Sequence, residues 1–372
     1  MVDSRNKKLA TLLLNHSVKL QKGEKILIEM LGTDCSDLAI ELIKQTKELG
    51  AIPLLNIVDY KVLKEMLLNC TEAQIKAYAK HDLNKMADVD AYIGIRSADS
   101  KNLKEIPSES MELYNKYYQQ PVHFEQRVKH TKWCILRYPN EEIANKAKMC
   151  LEDFTNFFYN VCTIDYGKME KAMEPLKILL SNTDKVHITG KGTDLTFSVK
   201  GIPAEKYYGT YNIPDGEVAS CPTKFSSNGY ITYNTETTYN GITFNNIYFE
   251  LKDGKIVKAE AGDKTKELNE ILDTDEGSRY IGEFALGLNP YIKNTMGDTL
   301  FDEKVAGSFH FTPGTALEES DNGNRSNIHW DIVCIQTPEF GGGEIYFDNV
   351  LVRKDGKFVL KELENLNPEN LL

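Results

Sequence analysis

Lys22-Gly23-Glu24-Lys25-Ile26-Leu27-Ile28 opens a strand–helix–strand pattern that sets the class of the first half of the chain. The Lys-Gly-Glu-Lys turn feeds an apolar run at 26–28. Asp37 to Leu49 then carries apolar residues at helical spacing and is closed by Gly50, a residue type that suits a helix end. Ile52-Pro53-Leu54-Leu55-Asn56-Ile57-Val58 follows as a second strand. Upstream, Lys8 to Leu20 is another amphipathic helix. Downstream, Lys61 to Met86 reads as one or two helices, with an N-cap at Thr71-Glu72 between them. Ala91 to Ile95 and Trp133 to Pro139 are further apolar strands, and Asn140 to Tyr159 is helical, with Glu141, Glu142 and Glu152 on its solvated side. Short apolar strands separated by amphipathic helices imply parallel βαβ units. No G-x-G-x-x-G follows the first strand, which argues against a nucleotide-binding domain.

After about residue 183 the period changes. Lys185 to Thr189, Leu195 to Val199, Gly229 to Tyr239 and Ile242 to Leu251 alternate as strands. Asp253-Gly254 and Asp355-Gly356 have the composition of two-residue hairpin turns. One helix, Lys264 to Leu272, interrupts the strands. Gly190-Lys191-Gly192-Thr193 joins two strands and lacks the helix that a phosphate loop needs, so it reads as a turn. Gly341-Gly342-Gly343 marks a flexible rim or a close backbone approach. The expected architecture is an α/β N-terminal domain over residues 1–183 and a mainly antiparallel, β-rich (α+β) C-terminal domain over residues 184–372, with the segment 160–183 able to belong to either.

At 372 residues the chain is long for one core and suggests two domains. Its formal net charge of -11, with both signs spread along the chain, argues against a nucleic-acid partner, which needs a basic patch or stripe. Seven scattered cysteines without a C-x-x-C indicate neither a zinc ribbon nor a dithiol motif, and they fit a reducing cytoplasm. The N-terminus carries no signal-peptide core, and no apolar run is long enough to span a bilayer.

The chemistry concentrates in the second half. Asn327-Ile328-His329-Trp330-Asp331-Ile332-Val333 alternates polar and apolar residues. On a β-strand His329 and Asp331 project to one side while Ile328, Trp330 and Ile332 take the other. An imidazole and a carboxylate side by side suit a metal, or form a buried His–Asp hydrogen bond. Glu217, in the turn Ile213-Pro214-Asp215-Gly216-Glu217-Val218, and Glu283, in Ile281-Gly282-Glu283-Phe284-Ala285-Leu286-Gly287, are carboxylates among small and apolar neighbours. Burying them is expensive unless they are paired or metal-bound. His310 sits between Phe309 and Phe311 on an alternating run. Two Glu, two His and one Asp suit a pair of divalent cations that hold an attacking water.

In order and spacing, the chain is similar to the aminopeptidase T family of metallopeptidases, which includes aminopeptidase S and PepS-type enzymes. The likeness covers nearly the whole length. It begins with the helix-turn-strand from Ala10 to Ile28. It rests on Ile213 to Val218, Ile281 to Glu283, His310 to Ala316, Asn324 to Asp331, and the closing run Ile345 to Phe358. The resemblance implies that Glu217, Glu283, His310, His329 and Asp331 bind two divalent ions per subunit: Zn, Co, Mn or Mg. It also implies a homodimer that releases N-terminal residues from peptides. Either Glu217 or Glu283 is then the bridging or proton-accepting carboxylate, and both are candidate catalytic residues. One departure stands out. The family has a tyrosine seven residues after the first histidine, where this chain has Leu317, and the 310–329 segment is shorter. Glu318 and Glu319 lie beside that gap. Leu317 motivates an alternative: a catalytically impaired metal- or peptide-binding homologue.

Overall fold

The computed structural model describes residues 3–97 and 101–372. The chain divides into two compact units: residues 1–163 with 209–213, and residues 164–208 with 214–372.

The first unit is built on a sheet whose strands Lys25–Leu31, Ile52–Val58, Ala91–Arg96 and Lys132–Arg137 are all parallel, as the alternation of short apolar runs and helices requires. Ile52–Val58 lies on one side of Lys25–Leu31 and Ala91–Arg96 on the other, and the short strand Asn212–Ile213 closes the far edge beside Lys132–Arg137. The helical stretch after residue 60 is two helices, Tyr60–Leu67 and Glu72–Ala87. Thr71 begins the second with a reciprocal cap: its side chain accepts from Gln74 N, and the Gln74 side chain accepts from Thr71 N. The helix expected over 140–159 is also two pieces, Glu141–Lys146 and Leu151–Cys162. It breaks at Lys148, whose φ is +57°, a left-handed conformation that ends a helix. A π-helical stretch, Asn115–Arg127, contains Pro121 and has no counterpart in the sequence reading.

In the second unit the expected hairpins form. Asp253-Gly254 and Asp355-Gly356 both have positive φ at each turn residue, the geometry that matches strand twist. They belong to an eight-stranded antiparallel sheet. Gly341-Gly342-Gly343 is a close approach: a Cβ on Gly342 would lie 2.3 Å from Asp355 Oδ1, which accepts from Gly343 N. The long strands expected over 229–239 and 242–251 are each interrupted, giving Asn228–Thr232, Thr237–Tyr239, Ile242–Phe244 and Tyr248–Lys252.

The segment 160–183, which the sequence leaves open to either half, falls mostly in the second unit. Helix Tyr166–Ser181 belongs to the second unit because its buried face (Met169, Met173, Leu176, Leu180) packs on Glu205–Tyr207 and Glu217–Ser220. Among the described residues no helix is long and apolar enough to cross a membrane.

A second sheet in this unit carries the candidate site. Its order is Val333–Ile335, Ser308–Pro313, Ile281–Gly287, Glu217–Ser220, Glu205–Tyr207, all antiparallel. Directly paired residues share a face. Glu283 pairs with Thr312, Ala285 with His310 and Ala219, and Gly287 with Glu217, so these residues form one face. Phe284 pairs with Phe311 and belongs to the other face. Phe197, from the eight-stranded sheet, meets Phe284 edge-on at 5.0 Å and Phe311 at 5.1 Å. One face is therefore a polar platform and the other an aromatic core. Phe284→Ala is expected to lower the unfolding free energy by about 3–5 kcal/mol, because the cavity adds to the lost transfer energy. Chemical denaturation measures it, and a loss below about 1 kcal/mol would show that Phe284 does not anchor the two sheets.

Candidate metal centre

Small residues make the platform possible. Ala285, Ala219 and Gly287 place almost no volume on the face that holds Glu217, Glu283 and His310. Gly282 has a second task. A Cβ there would lie 2.2 Å from Thr315 O and 2.5 Å from Gly314 O, so only glycine lets the chain after Pro313 pass beside Glu283. The pairing register shifts at this point, between Ile281 and Glu283.

The structure brings all five predicted residues together. Glu217, Glu283 and His310 present ligand atoms within 4.8 Å of one another, and Glu283, His329 and Asp331 do the same. Glu283 belongs to both groups, and its two oxygens face different imidazoles. Oε1 is 3.4 Å from His310 Nε2, and Oε2 is 3.2 Å from His329 Nε2. His310 Nε2 also lies 3.7 Å from Glu217 Oε2, and His329 Nε2 lies 3.2 Å from Asp331 Oδ1.

Outer partners fix these orientations. His329 Nδ1 donates to Thr315 O at 2.9 Å, which leaves Nε2 for the centre. Thr312 Oγ1 donates to Asp331 Oδ1 at 2.9 Å. Lys304 is fully buried, with Nζ 2.5 Å from Glu217 Oε1, 2.8 Å from Glu303 Oε1 and 3.4 Å from Asp215 Oδ1. Glu217 Oε2 and His310 Nδ1 are buried with no hydrogen-bond partner among the described residues.

The electrostatics follow from crowding anions in a dry site. Burial pushes Glu217 up to about 7 and Glu303 up to about 8. Burial also disfavours charge on Glu283, yet the hydrogen bonds from His310 and His329 outweigh it and hold Glu283 low. Against the pull of burial, Glu283, with Glu217, raises His310 to about 9, and Asp331, then Glu283, raises His329 well above its usual range. The imidazoles thus carry protons where a cation would relieve the same repulsion, and a divalent ion held by these residues would replace those protons at the Nε2 positions. The donor set of carboxylate oxygens and imidazole nitrogens fits such an ion.

One expectation needs correction. The run from Asn327 to Ile332 is not a regular strand: His329 makes a single bridge to Gly314, and the strand begins at Val333. The neighbouring strand ends at Pro313, which has no N–H, and Gly314 turns away with φ +114°. The facing is nevertheless as expected, with Ile328, Trp330 and Ile332 buried and His329 and Asp331 turned to the centre. Glu318 and Glu319 are exposed, and Leu317 is half-buried.

The sequence reading missed Lys304, Glu303, Thr312 and Tyr207. Tyr207 pairs directly with Glu217 and so faces the platform. Burial, then the charges of Glu283, Glu319 and Glu217, keep its hydroxyl protonated. Lys304 had one faint signal, a lone cation entering the small apolar run Val305-Ala306-Gly307.

Residues 2–358 match the profile of the family described as thermophilic metalloprotease (M29). The chain belongs to that family. Aminopeptidase PepS of Streptococcus thermophilus is 24% identical, with 88% of this chain and 91% of that protein covered. Aminopeptidase T of Thermus thermophilus is 31% identical over 38% of this chain and 37% of that protein. The solved structure of wild-type AmpT from Thermus thermophilus superposes with a TM-score of 0.80, covering 97% of this chain and all of that one, at 19% identity. The M29 fold, an α/β sheet joined to antiparallel sheets, is therefore the fold of this chain.

Two substitutions test how the centre is held. Gly282→Ala forces the 314–315 backbone away and is expected to cost about 1–3 kcal/mol of stability. Divalent-metal affinity should fall with it, and calorimetric titration that finds wild-type affinity would remove Gly282 from the site's framework. Lys304→Met leaves buried carboxylates unpaired and should cost about 3–5 kcal/mol in metal-free protein. An unchanged denaturation midpoint would show that the ammonium does not balance them.

Proposed function

We propose that this metallo-aminopeptidase binds two divalent ions, one between Glu217, Glu283 and His310 and the other between Glu283, His329 and Asp331, with Glu283 shared. The observation that carries the reading is the geometry of Glu283, whose two oxygens face the two imidazoles separately. Charge supports two ions. Asp215, Glu217 and Glu303 contact a single ammonium, Lys304, while Glu283 and Asp331 contact the imidazoles. Were all five carboxylates ionised and both histidines neutral ligands, four negative charges would be left, a number that two divalent cations would balance. Bound ions supply Lewis acidity, which polarises a peptide carbonyl and makes a water a nucleophile near neutral pH, where bulk water has a pKa of about 16.

The protein's own groups do the rest. The His329 ring is held by Thr315 O and Asp331 by Thr312, so neither must reorganise during the reaction. Lys304 engages Glu217 Oε1, so Glu217 has only Oε2 free for the centre. That contact favours Glu283 as the bridging carboxylate. Glu217 Oε2 is then the one oxygen Glu217 offers, either as ligand to the first ion or as acceptor for the water's proton. The Tyr207 hydroxyl is a protonated donor on the same platform, where Leu317 supplies none. Surplus negative charge also suits recognition of a substrate's α-ammonium, which confines cleavage to the N-terminus. The substrates are peptides, the ions are Zn, Co, Mn or Mg, and the protein is a homodimer, as the resemblance implies. Seven free cysteines accord with a cytoplasmic location.

His329→Ala and Asp331→Asn are expected to lower activity on unblocked dipeptides by about a thousandfold or more and to remove one ion per chain by elemental analysis. Full activity of either would exclude the assignment. N-acetylated peptides should not be cleaved. Two bound ions with no turnover under zinc, cobalt, manganese or magnesium would favour instead a metal-binding homologue impaired at Leu317. Light scattering tests the dimer.

A further inference from the structure

The first unit holds a cavity of about 200 Å³ to which peptide hydrolysis gives no role. Leu31, Val58 and Arg96, each the last residue of a parallel strand, line it. The strand order reverses between Lys25–Leu31 and Ala91–Arg96. In open parallel sheets, ligands bind by the carboxyl ends of the strands at such a switch point. The opposite wall is the π-helical stretch Asn115–Arg127, which contributes Tyr118, His123, Phe124 and Arg127. Helices of this wider turn recur at functional sites.

The polar equipment is specific. Arg127 is buried, and its Nη1 has no hydrogen-bond partner among the described residues. Its Nε donates to His123 Nδ1 at 3.2 Å, and its guanidinium lies 4.4 Å from the Trp133 ring and 5.1 Å from the Tyr92 ring. An orphaned donor on a buried cation carries an uncompensated desolvation cost, which an outside acceptor would remove. Glu29 is already engaged, accepting from Asn56 Nδ2 at 2.7 Å and Tyr92 OH at 2.6 Å. Burial pushes His123 down to about 3, so it is neutral. The charged lining groups are then Arg96, Arg127 and Glu29, with Asp82 behind the wall accepting from Tyr118 OH. Asn115 and Gln119 add polar groups, and the remaining wall is apolar and aromatic. Tyr78 and Tyr114 stack on either side of Tyr118 at 4.8 Å and 4.7 Å, with Leu63 and Met111 nearby.

We propose that this cavity binds a small monocarboxylate with an aromatic or apolar body, its carboxylate seated on Arg127. A guanidinium matches a planar carboxylate in two parallel hydrogen bonds, and stacked rings favour another ring. An apolar cavity of about 150 Å³ accepts benzene, so this one fits a single ring with a short acid chain. The ligand is a free aromatic acid or an aromatic amino acid, which share this chemistry.

Calorimetric titration of the full chain with 3-phenylpropionate, L-phenylalanine, 3-phenylpropionamide and inorganic phosphate tests it. At least one of the two acids should bind saturably, and the neutral amide should bind about tenfold more weakly or worse. The tighter of the two acids identifies the source. Arg127→Met should lose about tenfold or more in affinity. Met111→Phe, which fills the cavity and keeps the guanidinium, should lose binding with an unchanged melting temperature, and it carries the test if Arg127→Met does not fold. Failure of both acids to saturate at millimolar concentration overturns the proposal. So does amide binding equal to acid binding, phosphate binding in place of the acids, or unchanged binding in folded Met111→Phe.

Discussion

Carboxylates gathered on one dry face of a sheet are the constraint on which the second unit depends. Each is costly to bury alone, and Glu283 has ligand atoms within 4.8 Å of both Glu217 and Asp331. The chain answers with one buried ammonium, Lys304, and two imidazoles. It answers also with a sheet whose opposite face is aromatic and rigid, so that the strands bearing like charges are not free to separate. The polar face is unfavourable in isolation and is tolerated because the other face packs. This is a common arrangement for a centre whose missing charge is supplied by metal.

Precision in that centre is a matter of backbone as much as of side chains. Gly282 and Gly314 permit main chains to pass at distances that a Cβ would forbid, and the passing strand brings Thr315 O to the His329 ring. The same crossing produces the register shift beside Glu283. Orientation of the imidazole and placement of the shared carboxylate therefore come from one local feature. A single methyl group at Gly282 would disturb both.

The two units divide the chemistry. The second holds all five candidate ligands. The first has a different character, a parallel sheet under helices and a cavity at the sheet's switch point that is ringed by tyrosines and holds a buried arginine with an unsatisfied nitrogen. A peptidase centre needs none of those groups. Their concentration in one cavity distinguishes it from an apolar packing void.

Local pattern determined much of this protein from sequence alone. Period-two and period-3.6 runs located the parallel strands and the helices between them, because a buried strand and an amphipathic helix each leave a mark within about ten residues. The hairpins at Asp253-Gly254 and Asp355-Gly356 were legible because their backbone conformation selects for those residues. The five candidate ligands were legible as charges set in apolar sequence, which only pairing or metal makes tolerable. Tertiary structure decided the rest. Lys304 and Tyr207 belong to the centre through cross-strand registers that no local window contains. The helix Tyr166–Ser181 is amphipathic wherever it docks, so only its packing partners assign it to the second unit. The π-helical stretch 115–127 and the cavity beside it left no periodic trace, because an irregular helix follows neither template and a cavity is a property of what surrounds it.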